Sequence, residues 1–256
     1  MDKYENQLEI NKLIELAQQS GDEILKIYND PECSSHVDYK SDNSPLTLAD
    51  QASHEVIEKG LKILYPEIPI ISEEGDQLDY DKRKDFNLFW LVDPLDGTKE
   101  FINRNGEFTV NIALIRDKYP IAGIIYAPVL DTFYASANGN AFKIEKGQKS
   151  ELRVSGLNNG IAVRSKSHAS AEEEEVLDKY NIRDSISVGS SLKFCMVADN
   201  RADLYYRFGP TMEWDTAAGQ AVLEAAGGKV FKETGNERFS YNKRSLLNTG
   251  FLCMGF

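Results

Sequence analysis

The chain has 256 residues, 41% of them hydrophobic and 27% charged, an ordinary globular composition that can bury a sizeable core without disulfides. Its 29 Lys and Arg against 41 Asp and Glu leave a net charge of −12, which argues against a general binder of nucleic acid or anionic membrane, because phosphate backbones attract cations. Three widely spaced cysteines, Cys33, Cys195 and Cys253, suggest neither a disulfide framework nor a zinc cluster and fit a reducing compartment.

Residues 1–10 are charged and carry no apolar signal-peptide core, and no run of about 18 apolar residues marks a membrane span. A cytoplasmic protein is expected, and nothing argues for peripheral association with a membrane. Residues 4–29 place Leu8, Leu13, Leu16, Ile24 and Ile27 at near-helical spacing, predicting a helix that Pro31 ends. After a polar, loop-like stretch at 34–44, Pro45 and Thr47 introduce a second helix over about 48–64. The two helices are expected to pack together.

Residues 69–72 read as a short strand running into Glu73-Glu74-Gly75, and the charged segment 80–87 as a surface loop. The apolar run 88–92 is a buried strand that stops at Asp93-Pro94. Runs at 109–115, 121–126, 132–135 and 141–144, separated by turn residues such as Asn138-Gly139-Asn140, predict an antiparallel meander. Past residue 150, short strands at 161–164, 187–188, 204–206 and 229–231 alternate with helices near 169–180, 190–199 and 214–226, as in an α/β layer. The acidic run 172–175 falls in a first helical turn, where carboxylates favour the helix dipole. The expected class is α/β: one domain of two packed sub-domains, α+β over about 1–150 and α/β over about 151–256.

Four acidic positions at element ends stand out. Asp93 and Asp96 lie three residues apart in Asp93-Pro94-Leu95-Asp96-Gly97-Thr98, directly after the buried strand. Alone, that motif is an Asx-type turn. Two close carboxylates nevertheless repel unless a proton or cation lies between them. Glu73, about twenty residues earlier, also follows a strand, and neighbouring strand ends would bring it beside Asp93. Asp215 in Trp214-Asp215-Thr216-Ala217-Ala218-Gly219 and Asp50 after Ser44-Pro45-Leu46-Thr47 would each, alone, be helix-cap acids. Together they make a plausible oxygen-only cage, which suits Mg²⁺, Mn²⁺ or Ca²⁺ over Zn²⁺.

In order and spacing, Glu73-Glu74, Asp93 to Thr98 and Trp214 to Gly219 resemble the signature set of the inositol monophosphatase superfamily of metal-dependent, lithium-sensitive phosphatases. Three further segments resemble its 3′(2′),5′-bisphosphate nucleotidase branch. They are Asp42-Asn43-Ser44-Pro45-Leu46-Thr47-Leu48-Ala49-Asp50, Thr98-Lys99-Glu100-Phe101 and Gly189-Ser190-Ser191-Leu192-Lys193-Phe194-Cys195. The resemblance spans nearly the whole chain and implies a layered αβαβα sugar-phosphatase fold.

It implies one Mg²⁺ on Glu73, Asp93 and the carbonyl of Leu95, and a second on Asp93, Asp96 and Asp215, with Asp93 bridging. A third ion is placed near Glu73 and Asp50, Mn²⁺ is expected to substitute, and Li⁺ or Ca²⁺ to inhibit. Thr98 and Asp50 resemble the dyad that activates water, with help from Glu73; Glu74 is placed behind the ligands. Main-chain N–H groups around Gly97 and Thr98 would meet the scissile phosphate, beside Asp96 and Asp215. His168 is implied near adenosine, and Ser190, Lys193 and Arg207 near the distal phosphate or ribose, with Ser190 also readable as a helix cap. His36 and His54 read as loop and helix-surface residues. The implied activity is Mg²⁺-dependent hydrolysis of adenosine 3′,5′-bisphosphate to AMP, by a monomer or homodimer. Inositol monophosphatase or fructose-1,6-bisphosphatase activity is the alternative, and a non-catalytic nucleotide or metal sensor the reading outside enzymes.

Overall fold

The computed structural model describes residues 8–31, 44–76, 78–164 and 171–256. Helix α1 (Ile10–Tyr28) buries Leu13, Leu16, Ala17, Ile24 and Tyr28 on one stripe. Helix α2 (Pro45–Leu64) packs along it. It starts three residues earlier than its hydrophobic pattern suggests. Pro45 occupies the first turn, where its missing N–H costs nothing, and Ser44 Oγ accepts the N–H of Thr47 at 3.3 Å. Asp50 therefore lies in the second turn and is not a cap.

Seven strands form the first sheet in chain order: β1 (Ile70–Ser72), β2 (Leu88–Asp96), β3 (Thr109–Arg116), β4 (Tyr119–Ala127), β5 (Thr132–Ala137), β6 (Asn140–Glu145) and β7 (Gln148–Leu152). The pair β1–β2 is parallel and the rest antiparallel. Strand β7 went unread because it is polar and, but for Leu152, exposed. The expected surface loop at 80–87 holds a short helix, α3 (Tyr80–Arg83). Arg83 is only 3% exposed, because its guanidinium donates to Asn242 Oδ1 at 2.7 Å and to the carbonyls of Lys243 and Arg244. A charged residue reads as surface until its partners, distant in sequence, are seen.

The second sheet has the order β11-β12-β10-β8-β9, with β8 (Ile161–Arg164), β9 (Asp184–Ser187), β10 (Leu204–Arg207), β11 (Lys229–Lys232) and β12 (Phe251–Met254). Strand β9 ends where the sequence suggested it begins, and β12 was not foreseen. The remaining helices are α4 (Thr98–Ile102), α5 (Ala171–Lys179), α6 (Leu192–Ala198) and α7 (Glu213–Ala225).

Period-two alternation builds the layers. Trp90 and Val92 of β2 join the α1–α2 core, whereas Phe89 and Leu91 face the other way, into a core with Phe194, Val197, Ala217, Ala218 and Val222 of α6 and α7. Those helices also contact Tyr205, Val230 and Phe251 of the second sheet, whose outer face packs on Val176 and Leu177 of α5. The stack is αβαβα. Gly123 of β4 sets the approach of α7: a Cβ there would stand 2.7 Å from both the carbonyl of Ala218 and the Cβ of Ala221. By the same alternation Asp93 and Asn111, opposite one another in the β2–β3 ladder, share the face that meets α6 and α7.

Candidate active site

Register brings the first two acids together. Ser72 pairs with Val92 across the parallel β1–β2 ladder, and the N–H of Glu73 donates to the carbonyl of Val92 at 3.1 Å, so Glu73 follows β1 beside Asp93. Asp215 arrives from the first turn of α7. One carboxylate oxygen from each of Glu73, Asp93 and Asp215 lies within 4.8 Å of the others. Asp93 is 1% exposed, and burial and then the charges of Glu73, Asp96, Asp215 and Asp50 push its carboxyl well above the usual range. Burial, and then Asp96, push Asp215 up to about 8, although the Met212 N–H and Arg207 act against the rise. Such a set needs protons or a cation. Its donors are all oxygens, and Glu73 opens the cluster to solvent, a donor set that fits a hard divalent cation. Glu74 is exposed and outside the cluster.

The turn that carries Asp93 and Asp96 is a bulge. Asp93 opposes Asn111 and Asp96 opposes Thr109, so β2 spends one extra residue there. The N–H of Leu95 donates to Asp93 Oδ1 at 3.1 Å, an Asx-type contact within the same turn. Ser53 of α2 donates to the carbonyl of Pro94 at 2.7 Å and meets Ser20 of α1 at 2.6 Å, which ties the turn to both helices. Gly97 follows with φ 99°, a left-handed backbone that glycine adopts freely, and Thr98 begins α4, exposed. Asp50, 9% exposed, adds its charge to the field on Asp93.

The other wall comes from residues 189–193. Ser190 sits before α6 with φ 54° and donates to Asp96 Oδ2 at 2.6 Å. Ser191, the residue at the N-cap position, also donates to Asp96 Oδ2, at 2.8 Å, and makes no side-chain cap bond. The cap reading of Ser190 does not hold, because α6 begins at Leu192 and the left-handed backbone keeps Ser190 outside it. Lys193 is 7% exposed, and its ammonium donates to the carbonyls of Ser190 (2.8 Å) and Val188 (3.2 Å). Burial pulls its pKa down to about 8, against Asp96 and Glu100, which favour its charge. Arg207, at the end of β10, has a buried Nε without a hydrogen-bond partner among the described residues.

Asp96, Gly97, Ser190, Lys193, Arg207 and Asp215 all line one cavity of about 220 Å³, with Tyr205 and Phe251 as its aromatic wall. Asp215 is shared between this cavity and the acidic cluster. It has a structural duty too, since its Oδ2 accepts the N–H of Met212 at 2.8 Å. Asp96 lies outside the three-acid group, with one oxygen held by the two serines. His168 lies outside the described residues. His54 is not a bare helix-surface residue: its Nδ1 meets Ser72 Oγ at 2.9 Å, one residue before Glu73. Sequence reading also missed Ser191, Asn111 and Thr109. Two polar residues at alternate positions of an apolar strand, Thr109 and Asn111, were the available signal.

The inositol monophosphatase family model matches residues 6–253. The chain belongs to that family. Other members place it further. It is 47% identical over 94% of its length to the 3′(2′),5′-bisphosphate nucleotidase CysQ of Escherichia coli strain K12, covering 98% of that protein, and 46% identical to CysQ of Salmonella typhimurium over the same shares. The crystal structure of CysQ from Bacteroides thetaiotaomicron superposes with a TM-score of 0.86 at 39% identity, covering 96% of this chain and 97% of that one. An inositol monophosphatase from Zymomonas mobilis shares the fold with a TM-score of 0.78 at 24% identity, over 100% of this chain and 94% of that one. Family members depend on a metal, Mg²⁺, and the oxygen-only cluster fits that requirement. Among the described residues no helix is long and apolar enough to cross a membrane.

Proposed function

We propose that this chain is a Mg²⁺-dependent phosphatase that hydrolyses the 3′-phosphate of adenosine 3′,5′-bisphosphate to give AMP and phosphate. The observation that carries the reading is a single cavity lined by Asp96 and Asp215 together with Lys193 and Arg207. A molecule with two phosphates needs both: cations held by carboxylates for one, fixed side-chain cations for the other. The nucleotidase names of relatives up to 48% identical support the nucleotide.

Glu73, Asp93, Asp96, Asp215 and the carbonyl of Leu95 are the groups that would hold two ions, with a third near Glu73 and Asp50. When bound, such cations lower the pKa of water and neutralise the charge of the phosphoryl group. Thr98 and Asp50, helped by Glu73, orient the attacking water and take its proton. Main-chain N–H groups at Gly97 and Thr98 position the scissile phosphate. Lys193, Ser190 and Arg207 hold the distal phosphate or ribose, and the aromatic wall excludes water. Mn²⁺ substitutes for Mg²⁺, and Li⁺ or Ca²⁺ inhibits. The protein works in the cytoplasm on a small substrate.

The test is phosphate release with Mg²⁺ from adenosine 3′,5′-bisphosphate, inositol 1-phosphate and fructose 1,6-bisphosphate at equal concentration. The expected kcat/KM favours the nucleotide by about a hundredfold or more. Preference for either other ester overturns the substrate, and release from none of them leaves an unrelated phosphate ester or the sensor reading.

A further inference from the structure

The carboxylates assigned to the second ion come from separate layers. Asp96 ends a strand of the first sheet, and Asp215 starts a helix between the sheets. They repel, and burial makes that repulsion expensive. Something must fix their separation. Ser191 touches both residues: its Oγ is 2.8 Å from Asp96 Oδ2 and 2.8 Å from the main-chain carbonyl of Asp215. A serine hydroxyl has one proton and two lone pairs. The lone-pair side is taken by Asn111, whose Nδ2 donates to Ser191 Oγ at 2.9 Å, leaving the proton for Asp96 or for the Asp215 carbonyl. Asn111 is fixed in its turn, because its Oδ1 accepts the hydroxyl of Thr109 at 3.0 Å. Asn111 and Ser191 are 1% and 2% exposed, so water does not compete for these bonds.

We propose that Asn111 and Ser191 act as a positioning strut, running from the first sheet to the start of α7, that sets the spacing of Asp96 and Asp215 for cation binding. The inference rests on the metal-ligand reading above. Neither residue is assigned a contact with the cation or the substrate. The strut acts by holding two like charges at a separation a cation can bridge. Removing the strut leaves Asp96 Oδ2 held by Ser190 alone and lets α7 move relative to β2.

The experiment is calorimetric titration of Mg²⁺ into wild type, Ser191→Ala, Asn111→Ala and the double variant, alongside KM for adenosine 3′,5′-bisphosphate at saturating Mg²⁺. Each single change is expected to weaken Mg²⁺ binding about tenfold, the size of one hydrogen bond to a charged group. Because the two residues act in series, the double variant should be weaker than either single by no more than about twofold. In Asn111→Ala, which lies outside the cavity that Ser191 lines, KM for the nucleotide should stay within about twofold of wild type, a split that general loosening of the fold would not produce. Unchanged or tighter Mg²⁺ binding in folded Ser191→Ala would overturn the strut, since the hydroxyl would then merely occupy Asp96. Additive losses would overturn the series arrangement. If Asn111→Ala fails to fold, Ser191→Ala alone decides. Wild type that binds no Mg²⁺ refutes the metal-ligand reading itself, whereas normal wild-type binding with indifferent variants refutes only the strut.

Discussion

Asp93 pays for its position in stability. It is buried, surrounded by four other acids, and its carboxyl is pushed far up. Asp93→Asn keeps the Oδ1 that accepts the Leu95 N–H and deletes the charge. Turnover with Mg²⁺ should fall by more than about a hundredfold, beyond what losing a group behind the ligands costs. The metal-free variant should nonetheless melt higher than metal-free wild type, by about 2–4 °C for each kcal/mol of repulsion relieved. Calorimetry beside a kinetic assay checks both halves, and near-wild-type activity would remove Asp93 from the metal assignment. Lys193 makes the opposite case, a cation stripped of water. With its pKa near 8, it is protonated below that pH and neutral above it. KM for the bisphosphate should therefore rise above about pH 8, with no such break in Lys193→Ala, whose loss should be larger for the bisphosphate than for a monophosphate ester. A pH profile that is the same in both proteins would take Lys193 off the distal phosphate. At this scale the acids were legible because they stand at element ends, Glu73 and Asp93 after apolar runs and Asp50 and Asp215 near helix starts. Ser191 and Asn111 were not, since a serine or asparagine earns its role only from partners about eighty residues away.

Elements place these side chains, and small differences in their bounds matter. Helix α2 starting at Pro45 moves Asp50 from the cap into the second turn, buried beside the cluster. The bulge in β2 turns Asp96 toward residues 190 and 191 while Asp93 stays on the α7 face. Gly123 lets α7 lie close on the sheet. Gly123→Ala places a methyl against the backbone carbonyl of Ala218, which cannot swing aside as a side chain would. Overpacking of this kind costs about 1–3 kcal/mol, and the shift of α7 carries Asp215 with it. Urea unfolding should show the loss, together with a raised Mg²⁺ requirement; a stable variant with unaltered Mg²⁺ dependence would show that α7 has slack. Hydrophobic periodicity found most elements, because buried faces impose it. It missed β7, which is polar and largely exposed, and α3, whose Arg83 is buried by partners the local sequence does not contain.

The whole molecule is acidic, with a net charge of −12, and its site concentrates that sign. Asp93 and Asp215 have raised pKa values, so the metal-free folded state holds protons that the unfolded chain has released. Stability from Asp215 is complete below the ordinary carboxyl pKa of 3.8 and is lost as pH rises through about 8, and Asp93, whose carboxyl is also pushed up, acts in the same direction. Mg²⁺ binding to the deprotonated cluster reverses the loss. The rise in Tm on adding Mg²⁺ should therefore be larger at pH 8 than at pH 5.5, and chelator should abolish it. A pH-independent shift would mean that the cation binds elsewhere.

Much of this was determined by sequence alone. Apolar runs broken by acids, two helices before a meander and a strand–helix alternation after it specify the class, and the acids at element ends, Glu73, Asp93, Asp96 and Asp215, point to an oxygen-only cage whose phosphatase chemistry the family resemblance supplies. Those signals are local, because a strand must alternate and a helix must present a stripe whatever lies beyond it. The tertiary structure alone decided which acids share a cluster, that Ser190 and Ser191 both grip Asp96 and where Lys193 loses its water. Each of these depends on the separation of layers that meet only after folding, and a carboxylate's charge state or a lysine's pKa is a property of that separation, not of the residue.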